Sequence, residues 1–577
     1  RLLSKSPSLP QSIMRPFYLV CLLLLVHSSF EWGAGMAAES VPGQSESVIG
    51  TTVADFTLPN CYGKSVSLKD FDDCDAIAIV FLGTECPLAK LYGPRLTDIQ
   101  NRYRETGKKV QVLGVNSNYQ DSLTEMVAYV NRHQIGFPML KDLGNKVADA
   151  MGAERTPEVF LIDRDRKVRY HGRIDDQYGV GYSREREAEP ELTLAIDQLL
   201  AGTEIENPIT EAVGCHIGRV KEIAPVGDVT FTKDIAPILN NHCVSCHRTG
   251  EIAPFTLTNY DDVLGWEVTI LEVIADNRMP PWYADPDHGS FANDPRLSDH
   301  DRELISTWVD NGMPEGDASD LPPAPQFVEG WQIGEPDVEI YMNESKEPFK
   351  VPAEGIVDYQ YFTVDPHWEE DKYIVAAEAR PGNRSVVHHI IAYVIPPGES
   401  LKYNRQMLVG FAPGSVPFEA TDGVAHLVKA GSKLVFEMHY TPNGSETEDL
   451  SKIGLQFTDK KNVKKLLRGG IAINRDFTIE PEKTNQRVEA TYTANANELL
   501  LSMTPHMHLR GKSFSYVAYL PGEEDPVTLL NVPNYDFNWQ LKYTLKEPRL
   551  LPLGTKIVCK AVYDNSYENL TNPDPTQ

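Results

Sequence analysis

The chain has 577 residues, 41% of them hydrophobic and 24% charged, an ordinary globular composition in a chain too long for one core, so several domains are expected. Its formal net charge of −28 favours solubility and argues against a nucleic-acid partner, which rewards clustered Lys and Arg. Pro (41) and Gly (40) are frequent, as suits turn-rich β structure and linkers.

From Met14 the chain reads "MRPFYLVCLLLLVHSSFEWGAGMAAES": a basic residue at Arg15, an apolar run from Phe17 to Val26, then small residues. The run is short for a bilayer, so residues 14–38 read as an export signal cut near Ala37–Ala38. The expected product is exported, periplasmic or extracellular, with no stable membrane span. Of the eight cysteines, Cys21 leaves with the signal and two belong to a motif described below. The remaining five are an odd number, so at least one thiol is unpaired and the chain is no disulfide-dense scaffold.

Residues 45–202 alternate strands and helices. "DAIAIVFLGTECPLAKLYGPRL" predicts a buried strand at 75–82, a turn, Cys86 and a helix. A strand follows at 109–118, then a helix near 121–133, "FPML", another helix, and "TPEVFLIDRDRKVRYHGRID". This is an α/β unit with a central sheet. A cysteine where a helix begins has its thiolate stabilised by free N–H groups and the helix dipole. With "GTECP" and "TPEVF" the segment resembles the thioredoxin-like redoxins of the peroxiredoxin and thiol–disulfide type. That resemblance makes Cys86 a candidate redox thiol and Pro157 a candidate cis-proline facing it. The Cys-x-x-Cys pattern is missing, since Pro87, Leu88 and Ala89 follow Cys86, and Thr84 stands two rather than three residues before it. A resolving partner among Cys61, Cys74 and Cys215, a one-cysteine role and an inert scaffold all stay open. Cys215 and His216, in "VGCHIGR" of a linker at 203–225, are expected to be structural.

Residues 226–320 carry "FTKDIAPILNNHCVSCHRTG", in which Cys243, Cys246 and His247 form the Cys-x-x-Cys-His pattern of c-type haem attachment. Both thiols would bond the haem covalently and His247 would ligate its iron; a zinc pair lacks a second pair of ligands at finger spacing. Helices are expected at 233–242, about 261–277 and "SDHDRELISTWVDNG". The layout resembles the small bacterial c-type cytochromes, an all-α fold in which a Met-Pro supplies the sixth ligand. Carried over, this points to Met279 in "RMPPW", with Met313, His288 and His300 as rivals. A thioether opposite a histidine raises the potential and suits electron transfer.

After a Pro-rich connector, short alternating segments appear from about 337: "DYQYFTV", "KYIVAAEAR", "SVVHHIIAYVI", "KLVFEMHYTP", "ELLLSMTPHMHLRGKSFSYVAYLP" and "TKIVCKAVYDN". They predict two antiparallel sandwiches, at 337–457 and 458–577. His388, His389, His439, His506 and His508 all fall on these predicted strands, with His506 and His508 two apart on one face. His388 and His389 can reach one ion if the strand bulges or ends there, and three imidazoles suit copper or zinc. The order of motifs resembles the type II copper, ascorbate-dependent monooxygenases, the peptidylglycine and dopamine hydroxylases. The resemblance implies two copper ions, one on His388, His389 and His439 and one on His506 and His508, with ascorbate as a reductant. It departs from this chain in two ways. The family's methionine ligand lies downstream of His-x-His, whereas no methionine follows Met507, so the expectation is a second sandwich either cut short or lacking that ligand. The family's disulfides have no counterpart either, with Cys559 the one cysteine in the sandwich region.

Two functions are weighed. One is an exported oxidoreductase that hydroxylates a C–H bond of a small-molecule or peptide substrate, with electrons relayed through copper and haem. The other is a non-catalytic electron-transfer or metal-handling protein with a thiol-redox module and a partner protein.

Overall fold

Six consecutive apolar residues, Ala76–Phe81, are buried along their whole length and form the middle strand of a five-stranded sheet. Such a continuous run is what a strand covered on both faces requires. The structure is a computed structural model that describes residues 47–577 except 185, 188, 220–223, 329, 401–405, 413–414, 422 and 540. The expected signal at 14–38 lies outside the described residues.

The sheet runs in the order Met139–Lys141, Val110–Asn116, Ala76–Phe81, Glu158–Asp163, Val168–Gly172. The first three strands are parallel, and the last two join antiparallel. Helices Pro87–Glu105 and Leu123–Arg132 help cover one face, where Tyr92, Leu96, Met126 and Tyr129 are buried with Val80 and Val112. The opposite face buries Ile77, Ile79, Phe160 and Ala148. Ser122 and Glu125 form a reciprocal capping box that starts the second helix. This is the thioredoxin-like α/β fold. The expected linker is partly built into it, because Cys215–His216 pairs antiparallel with Arg155–Thr156.

In residues 226–320 the regular elements are short helices joined by long irregular segments: a wide π-type turn at Phe231–Ile235 followed by the helix Ala236–His242, then Tyr260–Val263, Glu267–Ala275 and Asp299–Asp310. Phe231, Leu239, Trp266, Ile274 and Trp308 are buried among them. The single helix expected at 261–277 is broken at Leu264–Trp266. Gly265 has φ +89°, and a Cβ there would lie 2.2 Å from Gln120 Oε1 of the redoxin, so a glycine-only backbone and a close approach end the helix together. Residues 282–293 pack with the second sandwich. Trp282 and Ala284 are buried in its core, and Phe291 bridges Leu545.

The first sandwich packs a six-stranded sheet, which includes Lys372–Arg380 and Lys452–Thr458, on a four-stranded sheet in the order Gln360–Val364, Lys433–Tyr440, Val387–Ile395, Gln406–Phe411. Ile374, Ala377, Ile390, Phe436, Met438 and Ile453 fill the space between. The second has a four-stranded sheet, Gln486–Thr493, Lys556–Tyr563, Gly511–Tyr519, Val527–Val532, and a pair, Glu498–Met503 with Tyr543–Leu551. Extensive β structure thus makes up the C-terminal region. Among the described residues no helix is long and apolar enough to cross a membrane.

Candidate redox and metal sites

The central strand of the redoxin sheet ends at Phe81, and the turn after it delivers Cys86 to the N-cap of the helix that opens with Pro87. Cys86 has 0% exposure, and its Sγ donates to Thr156 O at 2.9 Å. The Thr156–Pro157 peptide is cis, so the expected proline stands in the strand segment against this sulfur. Burial pushes the Cys86 thiol up, but the Cys215 thiol and the N–H groups of Ala89 and Cys215 favour the thiolate more, and its pKa falls to about 6. Its neighbour Cys215 moves the opposite way, held protonated by its hydrogen bond to Cys86 and by burial. The thiolate's ultraviolet absorbance should therefore titrate near pH 6, against an ordinary thiol near ~8.5, and vanish in Cys86→Ser. A midpoint above 8 in the reduced wild-type chain would contradict this environment. Since Cys86 is depressed, the stability it lends is full above the unfolded thiol's pKa and is lost as pH falls through 6.

A buried polar network holds the turn before Cys86. Asp121 Oδ2 accepts from Thr84 N at 2.8 Å, Asn116 Nδ2 at 2.6 Å and Asn118 Nδ2 at 3.1 Å. Lys141 Nζ donates to Asn116 Oδ1, Asn118 O and Asp121 O at 2.8, 2.6 and 2.6 Å. Lys141→Met takes the Nζ donor from three buried acceptors and a positive charge from near the Asp121 and Asp142 carboxylates. The expected loss is about 3–5 kcal/mol, read from denaturant unfolding. Glu158, after the cis-proline, plays a similar part: Oε2 accepts from the N–H groups of Glu154 and Arg155 at 2.7 Å each, and Oε1 lies 2.6 Å from His171 Nε2. Neither network is announced by a motif, because each is assembled from residues remote in sequence.

In the helical region, His247 Nδ1 lies 3.1 Å from Phe255 O, which leaves Nε2 as the ring's ligand atom. Burial keeps this imidazole neutral and raises both Cys243 and Cys246, the former to about 12. Neither thiol is in a disulfide. The donor set fits a covalently held haem. Met279 follows the helix Glu267–Ala275, is half-buried, and its N–H donates to Val273 O at 3.0 Å. Its rival Met313 is buried in the helical core. His288 sits in the segment that packs on the second sandwich, and His300 in the helix Asp299–Asp310.

His388 and His389 open the strand Val387–Ile395, whose pairing with Lys433–Tyr440 slips between Val387 and His389. A bulge there releases two consecutive side chains from pointing to opposite faces. His388 Nδ1 lies 3.2 Å from both His389 Nδ1 and His439 Nδ1, and the three ligand atoms lie within 4.8 Å of one another. A neutral imidazole has one N–H, so converging ring nitrogens present more lone pairs than donors. The spacing resembles the ~3.3 Å between two nitrogens held ~2.0 Å from a tetrahedral ion. His389 Nε2 is buried and has no hydrogen-bond partner. Burial lowers His388 to about 4, and burial with the neighbouring histidines lowers His439 to about 3 and His389 to about 2, so all three are in the neutral, ligating form at pH 7.

His506 and His508 do not lie on a strand, contrary to expectation. The strand ends at Met503, and Pro505, with no N–H to give a ladder, helps keep the connection irregular. Their rings are still 5.1 Å apart. Both residues are exposed, and Met507 between them is buried, its carbonyl accepting from Tyr535 OH at 2.9 Å. Tyr359 stacks on His439 at 4.8 Å and on His508 at 5.7 Å, and Phe537 lies 5.5 Å from His439 and 6.0 Å from both His388 and His508. Two aromatic rings thus join the two histidine groups. Tyr359 and Phe537 lie outside any motif, and nothing in their sequence context marks them.

Residues 49–171 match the sequence model described as the AhpC/TSA family. The same region is similar to "Thiol-disulfide oxidoreductase ResA" of Bacillus thuringiensis (strain Al Hakam), 28% identical over 120 residues, which cover 21% of this chain and 66% of that protein. It is likewise similar to the protein of that name from Halalkalibacterium halodurans, 28% identical over 125 residues, 22% of this chain and 65% of the relative. The chain therefore spans just under two thirds of the length of these curated relatives. Among solved structures, the hypothetical protein SMc02350 from Sinorhizobium meliloti 1021 is 33% identical, with 31% of this chain and 97% of that one covered and a TM-score of 0.28. The N-terminal region is a thioredoxin-like redoxin domain.

Proposed function

We propose that the chain is an exported thiol-redox and electron-transfer protein whose redoxin exchanges thiols and disulfides at Cys86. The observation that carries this reading is the Cys86 sulfur itself: at a helix N-cap, against the cis-Pro157 segment, 2.9 Å from Thr156 O. The chain's residues bind, orient and ionise that sulfur, and the similarity of residues 49–171 to thiol–disulfide oxidoreductases supports the chemistry.

Two further centres belong to the reading. Cys243, Cys246, His247 and Met279 would hold a c-type haem, and His388, His389 and His439 would hold copper. Bound there, these groups would supply one-electron chemistry. The chain's own contribution is to keep His247 and the three clustered imidazoles neutral and largely shielded from water, and to hold His247 by Phe255 O.

Hydroxylation of a substrate C–H bond, with a second copper at His506 and His508 and ascorbate as reductant, is a second reading. The aromatic rings shared by the two histidine groups favour it. The test is to express the chain in a host that matures c-type cytochromes and measure reduction of a disulfide-bonded reporter peptide, haem and copper. Disulfide reduction lost in Cys86→Ser, with haem and at least one copper per chain, supports the proposal. Reduction unchanged in Cys86→Ser overturns it. A second copper that disappears in the His506→Ala/His508→Ala variant favours the second reading.

A further inference from the structure

Cys86 lacks the second cysteine that a neighbouring Cys-x-x-Cys would provide. Resting on the redox role of Cys86, we propose that Cys215, beyond the family-matched segment, is its partner thiol and that the two close a reversible internal disulfide.

The two-residue strand Cys215–His216 pairs with Arg155–Thr156 so that Cys215 stands opposite Thr156, the residue whose carbonyl accepts from Cys86 Sγ. Gly214 makes this approach feasible: with φ +147°, a Cβ there would lie 2.0 Å from Thr156 O. Arg155 donates to Gly214 O at 2.8 Å and to Glu272 at 2.9 Å, while His216 Nε2 lies 2.5 Å from Glu272 Oε2. The strand is therefore anchored from the redoxin on one side and from the helix Glu267–Ala275 on the other. Cys215 packs against the hydrophobic cores of both regions. The two thiols also influence each other's ionisation, Cys215 favouring the Cys86 thiolate and being itself held protonated. The other candidates are placed less well. Cys74 packs on the opposite face of the sheet, Cys61 is bound by its own turn beside Met139 O, and Cys559 is in the second sandwich.

The step balances without another cofactor. The Cys86 thiolate attacks one sulfur of a substrate disulfide R–S–S–R′, forming Cys86–S–S–R and releasing R′–S⁻, which takes a proton. The Cys215 thiol then gives up its proton and attacks Cys86 Sγ. The Cys86–S–S–R bond breaks, and R–S⁻ leaves with that proton. Two electrons pass from the two cysteines to the substrate, which departs as two thiols. Cys86 is fully buried, so a bulky disulfide reaches it only when residues around it move.

The test equilibrates the full chain with mixtures of reduced and oxidised dithiothreitol, blocks free thiols and maps disulfides by mass spectrometry. The expected result is a Cys86–Cys215 cross-link that forms and disappears with a single two-electron midpoint. In Cys215→Ser, Cys86 should accumulate as a mixed disulfide with added glutathione, at least about tenfold above wild type. Gly214→Ala keeps both thiols but pushes the strand off Thr156, and should lower the cross-linked fraction at the same poise. Wild-type mapping needs no variant, so a misfolded mutant does not block the test. A disulfide of Cys86 with Cys61 or Cys74, or a reactive Cys86 that never pairs with Cys215, overturns this inference and leaves the Cys86 reading intact. An exchange activity indifferent to Cys86→Ser overturns that reading instead.

Discussion

Replacing Cys86 by serine is expected to reduce disulfide exchange by on the order of 10³-fold or more, because a hydroxyl neither ionises near neutral pH nor forms a disulfide. The change is nearly isosteric. The introduced hydroxyl could still donate to Thr156 O, and the surrounding core of Ala89, Val80 and Tyr129 keeps its shape, so the fold should survive, with unfolding midpoints lowered chiefly at neutral and higher pH, where the stabilised thiolate is lost. The paired measurement is reporter-peptide reduction and thermal unfolding on the same samples. Lost activity in a chain that still folds cooperatively assigns the chemistry to the sulfur. Retained activity would move it to another thiol, with Cys243 and Cys246 the first to examine.

His439→Ala is expected to weaken copper binding at the three-histidine cluster by more than about 100-fold, the upper end of what loss of a mere supporting contact costs. His439 alone comes from the strand Lys433–Tyr440, and without it the remaining pair His388 and His389 comes from one strand and cannot surround an ion. Equilibrium dialysis against a copper chelator series, with electron paramagnetic resonance of the bound ion, would read the change. The fold should survive, since His439 is half-buried and the strand's register is held by Phe436, Met438 and Tyr440 in the core. Unaltered copper affinity and spectrum in His439→Ala would remove copper from this cluster.

The two effects are separable because the sites lie in different regions, yet those regions touch. His133 of the redoxin lies 3.0 Å from Gly444 O of the first sandwich, and Asn538 of the second donates to Gly181 O at 2.7 Å. Tyr283, four residues past Met279, donates to Asp536 at 3.1 Å, and the next residue, Phe537, lies against His388, His439 and His508.

The redoxin was legible because its signals are local. A six-residue apolar run, a cysteine before Pro87 and a Thr-Pro-Glu turn each act through neighbours in the chain, and hydrophobic periodicity marks the alternating elements. The Cys-x-x-Cys-His motif and the strands carrying His388, His389 and His439 were legible for the same reason. What sequence could not contain is anything that depends on register between remote strands. His388 and His389 reach one point because pairing with the strand of His439 slips by a residue, and a slip is a property of two strands. His506 and His508 leave the strand pattern where Pro505 interrupts it, and only packing on Tyr359 and Phe537 shows where they arrive. Cys215, from its sequence context, is a structural residue of a linker. Pairing of Cys215–His216 with Arg155–Thr156, through a glycine that lets two backbones approach within a hydrogen bond, brings it to Cys86 from a remote part of the chain. Composition and motif thus determined which chemical groups this protein has. Tertiary structure alone decided which of them meet, because side chains distant in sequence come into contact only through the pairing and packing that close the fold.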